Sequence, residues 1–158
     1  MIKFLVLDID GTLTDGKLYI SANGEFMKAF DVKDGHGIAK ILPELGITPI
    51  VVTGRESEIV KRRMAELGVV EVYQSVTDKE LKLRELANKY ACDLQDFGCV
   101  GDELTDIPAM QICGFSACPA DAANEVKAVC NYVSTKNGGE GAAREIIEFL
   151  RDEIYNKR

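Results

Sequence analysis

Apolar and polar positions along this chain keep two rhythms, one of period two and one of helical period. Phe4-Leu5-Val6-Leu7 is an apolar run that stops at Asp8-Ile9-Asp10-Gly11-Thr12. A short aliphatic run closed by turn residues marks a buried parallel strand. Residues 16–30 then alternate by two around Asn23-Gly24, which predicts a β-hairpin with arms near 18–20 and 26–30. Leu18, Tyr19, Ile20, Phe26 and Phe30 make that hairpin too apolar for a free projection, so it packs on its own domain or on a partner subunit.

Helical and strand patterns alternate from there on. The spacing predicts a helix over 38–45, shortened by Pro43 and stopped at Gly46, then a strand over 47–53. A basic-faced helix over 57–67 is closed by Gly68. A strand over 69–73, a helix over 78–90, a strand over 97–100 and a helix over 105–112 follow. Strands near 115–117 and 132–133 flank a helix over 122–129, and a flexible loop over 138–141 leads into a closing helix over 142–155. This alternation predicts an α/β fold: a doubly wound, mostly parallel Rossmann-like sheet with a hairpin inserted after the first strand. Without repeats or linker-like stretches, residues 1–158 form one domain, with the hairpin near 17–30 and the C-terminal loop and helix near 137–158.

Composition narrows the picture. A length of 158 residues, 46% hydrophobic and 28% charged, is enough for an ordinary core. The formal charge of −7 argues against nucleic acid or an anionic membrane as partner, and the apolar runs are far too short to span a bilayer. The first residues run straight into a strand, so a cytoplasmic location is expected. Five cysteines in irregular positions (Cys92, Cys99, Cys113, Cys118, Cys130) suit reduced, mostly buried thiols. His36 is the only histidine, which excludes a two-histidine metal site and leaves it as a local polar group.

The chemistry lies at the strand ends. Asp8 and Asp10 end the first strand, Thr53-Gly54-Arg55 ends the second helix-flanked one, and Gly101-Asp102-Glu103-Leu104-Thr105-Asp106 follows a later one. In a doubly wound sheet the carboxyl ends of parallel strands share one rim, and Lys79, at a helix start, can reach it. Two carboxylates about 4 Å apart repel by roughly 4 kcal/mol at an effective dielectric near 20, so the pair implies a divalent metal, a phosphoryl group, or both. Nucleophile, acid/base, hydroxyl, ammonium and extra carboxylates are the parts that metal-assisted phosphoryl transfer needs. Taken singly each motif has a plainer meaning: a solvated turn, a strand exit, a helix cap, a surface lysine. Their order along the chain is what joins them.

These motifs resemble those of the haloacid dehalogenase superfamily: Asp8-Ile9-Asp10-Gly11-Thr12 the first, Thr53 the second, Lys79 the third, Gly101-Asp102 to Asp106 the fourth. The resemblance implies Asp8 as nucleophile, Asp10 as acid/base, and Thr53 and Lys79 on the transferring oxygens. It also implies Mg²⁺ held by Asp8, Asp102 and the Asp10 carbonyl, with Asp106 in support. Only about forty residues separate Thr12 from Thr53, room for the hairpin and one helix, and the interval from Arg55 to Lys79 has room for one helix and one strand, so no cap domain is expected.

Finer features resemble the 3-deoxy-D-manno-octulosonate 8-phosphate phosphatase family. They are Thr14-Asp15-Gly16, Asp31 to Gly37, Thr53-Gly54-Arg55, Arg62-Arg63 and Gly138 to Glu145. The resemblance implies that Asp10, Asp31, Val32, Lys33, Asp34, Gly35, Thr53, Gly54, Arg55, Arg63 and Lys79 bind a small sugar-acid phosphate. It further implies a homotetramer in which a neighbouring subunit covers the site, with Arg144 either reaching across or lying on the surface. A nine-carbon keto-deoxy sugar acid 9-phosphate is the alternative substrate. A receiver-like domain or a silent oligomerisation module is the non-enzymatic alternative, and a phosphomutase is disfavoured because it needs a cap.

Overall fold

The computed structural model describes residues 1–156; Lys157 and Arg158, the end of the expected domain, lie outside the described residues. Six strands form one sheet in the order β5-β4-β1-β6-β7-β8: β1 (Phe4–Leu7), β4 (Thr48–Val52), β5 (Glu71–Tyr73), β6 (Phe97–Val100), β7 (Phe115–Cys118) and β8 (Tyr132–Val133). Every pairing in it is parallel. The order reverses at β1, whose neighbours β4 and β6 start the two windings. The crevice beyond the carboxyl end of β1 is therefore where a ligand belongs in such a sheet.

Two cores cover the sheet. On one face Leu5, Leu7, Val51 and Val100 meet Ile38, Leu42, Met64, Ile146 and Ile147. These come from α1 (Val32–His36) with its continuation to α2 (Leu42–Glu44), from α3 (Glu58–Glu66) and from α7 (Ala142–Asn156). On the other face Val6, Ile50, Phe97 and Cys99 meet Leu83, Leu86, Met110 and Val126. Those belong to α4 (Lys79–Tyr90), α5 (Ile107–Ile112) and α6 (Asn124–Val129). Strand residues thus alternate between two dry layers, as parallel strands buried on both faces must. None of the helices among the described residues is long and apolar enough to cross a membrane.

Three local expectations need correction. The helix expected from residue 38 begins at Val32, because the Asp31 carboxylate caps it by accepting from the Lys33 and Asp34 N–H groups. It runs through a π-type turn, Gly37–Ile41, just before Pro43, which has no N–H to donate. The hairpin comprises β2 (Tyr19–Ser21) and β3 (Gly24–Met27), a separate two-stranded sheet. Ser21 pairs with Gly24, so its two-residue turn is Ala22-Asn23, one position earlier than the Asn-Gly step implied. The glycine-rich loop over 138–141 is docked on its own chain. Gly138 N–H donates to Asp121 Oδ1 at 2.9 Å, and Gly139 N–H to the Thr12 carbonyl at 3.3 Å. A Cβ at Gly138 would lie 1.9 Å from the Gly11 carbonyl oxygen, so only glycine fits.

Candidate active site

The β1 end is built by backbone turns that aim carboxylates outward. Thr12, Leu13 and Thr14 N–H groups all point to the Ile9 carbonyl at 2.9–3.2 Å, and Thr14 Oγ1 accepts from the Gly11 and Gly16 N–H groups at 3.2 Å each. Gly11 has φ +88°, and a Cβ there would sit 1.9 Å from Asp102 Oδ2. This close approach lets the β1 and β6 ends share one pocket. Asp8 is nearly buried, and one oxygen each from Asp8, Asp102 and Asp106 lie within 4.8 Å of one another. Lys79 Nζ stands between them, 3.0 Å from Asp8 Oδ1 and 2.5 Å from Asp106 Oδ1. The Asp78 carboxylate caps α4 through the Leu81 N–H and so sets where Lys79 begins the helix.

Asp106 has a second task. Its Oδ2 accepts from the Asp102 and Glu103 N–H groups at 2.9 and 3.1 Å, which fixes the loop after β6, while Thr12 Oγ1 donates to Asp102 Oδ1 at 3.1 Å. Three carboxylates against one ammonium leave the pocket short of positive charge. Burial, and then the neighbouring Asp8 and Asp106 charges, push the Asp102 carboxyl up to about 8. Burial followed by the Asp106 charge also raises Asp8, against the opposing pull of Lys79. Burial pulls the Lys79 ammonium down, but the Asp8 and Asp106 charges outweigh it and its value is raised. A hard, oxygen-only donor set, crowded with carboxylates that repel one another, fits a divalent cation such as Mg²⁺.

An open depression above this pocket is lined by Asp8, Asp10, Thr53, Gly54, Arg55 and Lys79, with Val76, Thr77, Glu103 and Thr105 on its walls. Thr53 is held at the end of β4 by donating its N–H to Tyr73 and accepting from Val76, both at 3.0 Å. Arg55 is half exposed on the rim. All the expected catalytic and metal residues, and the substrate residues Asp10, Thr53, Gly54, Arg55 and Lys79, are thus brought together.

The other expected substrate residues are not brought to that depression. Asp31, Asp34, Gly35 and Arg63 line a separate small cleft with Phe30 and Met64. Val32 and Lys33 are exposed on the surface of α1. Asp34 is 2% exposed and its Oδ1 accepts the Arg144 N–H at 2.9 Å, tying α1 to the start of α7. Its Oδ2 is buried without a partner. Burial, then the Asp31 charge, raise the Asp34 carboxyl to about 6. Arg144 itself pairs with Glu148 at 2.8 Å, and His36 is exposed.

Two charged residues beside the site escaped the motif pattern. Lys28, just after β3, lies 2.6 Å from Asp10 Oδ1, and Glu25 of β3 lies 3.0 Å from Lys28. Their only trace in the sequence is an opposite-charge pair three residues apart in an apolar arm. Nothing local says that the arm folds back on β1.

Known proteins agree with this geometry. The haloacid dehalogenase-like hydrolase family matches residues 64–146. The 3-deoxy-D-manno-octulosonate 8-phosphate phosphatase of Salmonella typhi is 40% identical over 149 residues, 94% of this chain and 79% of that protein. The Haemophilus influenzae protein of the same name is 39% identical over 94% of this chain and 82% of its own length. The cobalt-bound H. influenzae phosphatase superposes with TM-score 0.91 at 38% identity, covering 96% of this chain and 88% of that one. The Moraxella catarrhalis enzyme, solved with magnesium, phosphate and the sugar acid, gives TM-score 0.91 at 36% identity, over 96% of this chain and 86% of that one. With the nucleophile-type carboxylate, the lysine and the acidic trio in one pocket, this chain belongs to the 3-deoxy-D-manno-octulosonate 8-phosphate phosphatase family of haloacid dehalogenase-like hydrolases.

Proposed function

We propose that this chain is a Mg²⁺-dependent phosphatase that converts 3-deoxy-D-manno-octulosonate 8-phosphate to the free sugar acid and phosphate through an aspartyl phosphate. The observation that carries the reading is Lys79 bridging Asp8 and Asp106 beside Asp102, beneath a depression with Arg55 on its rim. Asp8, Asp102 and the Asp10 carbonyl would hold Mg²⁺, with Asp106 in support. The bound ion supplies the positive charge that lets a carboxylate meet a phosphate dianion.

Asp8 attacks phosphorus with one carboxylate oxygen, and the bond from phosphorus to the sugar oxygen breaks. Asp10 delivers a proton to the departing alkoxide. Next, Asp10 takes a proton from water, which attacks the aspartyl phosphate, releasing phosphate and restoring Asp8. Lys79 keeps Asp8 aligned and, with Thr53, holds the oxygens of the transferring group. Arg55 presents a planar fork suited to the sugar carboxylate.

The depression is open, and the hairpin exposes Leu18, Ile20, Phe26 and Met27. An apolar surface of that kind supports a homotetramer in which a neighbour covers the site, and the exposed Val32 and Lys33, with the partly exposed Asp31 and Arg63, are then what one subunit offers another's sugar, while the buried Asp34 and Gly35 hold that segment in shape. One catalytic domain working in the cytoplasm completes the proposal.

The test is phosphate release with Mg²⁺ from the eight-carbon 8-phosphate beside N-acetylneuraminate 9-phosphate and hexose phosphates. The expected result is a specificity constant at least about tenfold higher for the eight-carbon substrate. Preference for the nine-carbon acid keeps the chemistry and overturns the substrate. No Mg²⁺-dependent release from any ester overturns both.

A further inference from the structure

The hairpin is not a bystander to the chemistry. Its two strands form a sheet of their own, a unit that is marginal in water unless something else holds it. Little of its apolar surface is used for that purpose, since Ile20 and Phe26 are 56% and 61% exposed. What does hold it is a ring of charges. Lys28 Nζ contacts Asp10 Oδ1 at 2.6 Å and Glu25 Oε2 at 3.0 Å, and the Arg55 guanidinium closes the ring, 3.7 Å from Glu25 and 3.9 Å from Asp10 Oδ2. Ser57 Oγ donates to the other Glu25 oxygen at 2.8 Å. The Lys28 side chain is only 2% exposed, a position an ammonium rarely takes unless it is paired.

The two oxygens of Asp10 are consequently unequal. Asp10 lines the depression; its Oδ1 is tied to a buried ammonium, whereas its Oδ2 makes a long contact, 3.9 Å, to a half-exposed arginine. A carboxylate that must meet a leaving oxygen and then a water gains from having one oxygen fixed and the other free.

We propose that Lys28 is a positioning residue for Asp10, locking its Oδ1 so that Oδ2 does the proton transfer, and that Glu25 makes this lock depend on the hairpin being in place. The inference rests on the phosphatase reading above. It makes the hairpin's position, and whatever partner subunit sets that position, a control on the rate of phosphoenzyme hydrolysis.

p-Nitrophenyl phosphate separates this role from a merely structural one. Its leaving group departs without an acid, so the first step does not need Asp10, while hydrolysis of the aspartyl phosphate still does. In rapid mixing with Mg²⁺, Lys28→Met is expected to release nitrophenol in a burst as fast as the parent, of about one equivalent per site. The steady rate that follows is expected to fall roughly tenfold, with the Michaelis constant little changed. Lys28→Arg is expected to restore most of the steady rate. Should Lys28→Met fail to fold, Glu25→Ala carries the same readout, with a smaller fall. Burst and steady rate falling together, or neither changing, overturns the inference while leaving an active parent as a phosphatase. A parent with no Mg²⁺-dependent turnover overturns the phosphatase reading and this inference with it.

Discussion

Mg²⁺ binding should expel a proton from Asp102, and the structure sets how much. In the metal-free pocket the Asp102 carboxyl stands at about 8, raised first by burial and then by the Asp8 and Asp106 charges. A cation binds only the carboxylate form, so apparent affinity rises with pH up to about 8 and levels off above it. At pH 7 about nine in ten Asp102 groups carry the proton, so binding should release about 0.9 proton per site, falling to about 0.5 at pH 8 and below about 0.1 beyond pH 9. The apparent dissociation constant should be about tenfold weaker at pH 7 than at its plateau and about a hundredfold weaker at pH 6, or about 1.4 and 2.8 kcal/mol. Titration calorimetry of the metal-free protein in two buffers of different ionisation enthalpy reads the proton count directly. Affinity that does not change between pH 6 and 8, with no proton released at pH 7, would refute the reasoning: Asp102 would then be ionised before the metal arrives, or not be a ligand.

Two further outcomes are expected. Asp34 sits at about 6 against an ordinary value of 3.8, so its contribution to stability is full below 3.8 and is lost as pH rises through 6, a total of about 3 kcal/mol. Relative to the parent, Asp34→Asn should therefore gain about 1.4 kcal/mol more at pH 8 than at pH 5 in urea unfolding, and an equal difference at both pH values would contradict the assigned cause. Arg55→Ala should raise the Michaelis constant for the sugar-acid phosphate by about tenfold or more, yet leave that for p-nitrophenyl phosphate nearly unchanged; equal effects on both esters would remove Arg55 from the sugar site.

What could be foreseen from the sequence follows a physical division. β1 and β6 lie where the apolar runs put them, because a strand buried on both faces has to be continuously apolar. Asp8, Thr53, Lys79 and Asp102 could be grouped before any coordinates, since parallel strand ends share one rim whatever the loops do. Features set by contacts between distant segments were hidden. Asp31 starts a helix through its own side chain in a stretch containing Gly35 and Gly37, where helical propensity is low. Gly138 and Gly139 looked like a loose loop, but they are small so that the chain can press against Gly11 and Thr14. That Asp34, expected among the sugar residues, is buried and tied to the start of α7 depends on a contact 110 residues away in the chain. Lys28 and Glu25 follow no period at all, because Lys28 pairs with Asp10 at the end of β1 and Glu25 with Lys28, Arg55 and Ser57.

Asp8 is the residue proposed to carry the phosphoryl group between the two half-reactions. Turnover with Mg²⁺ and 3-deoxy-D-manno-octulosonate 8-phosphate, quenched in acid within milliseconds and followed by peptide mass spectrometry, would trap that species. One added phosphoryl group is expected on the N-terminal peptide at Asp8, lost on chase, and absent from Asp8→Asn, which should also have no turnover. Steady phosphate release without that species, or an Asp8→Asn protein that keeps a near-normal rate, would contradict that role.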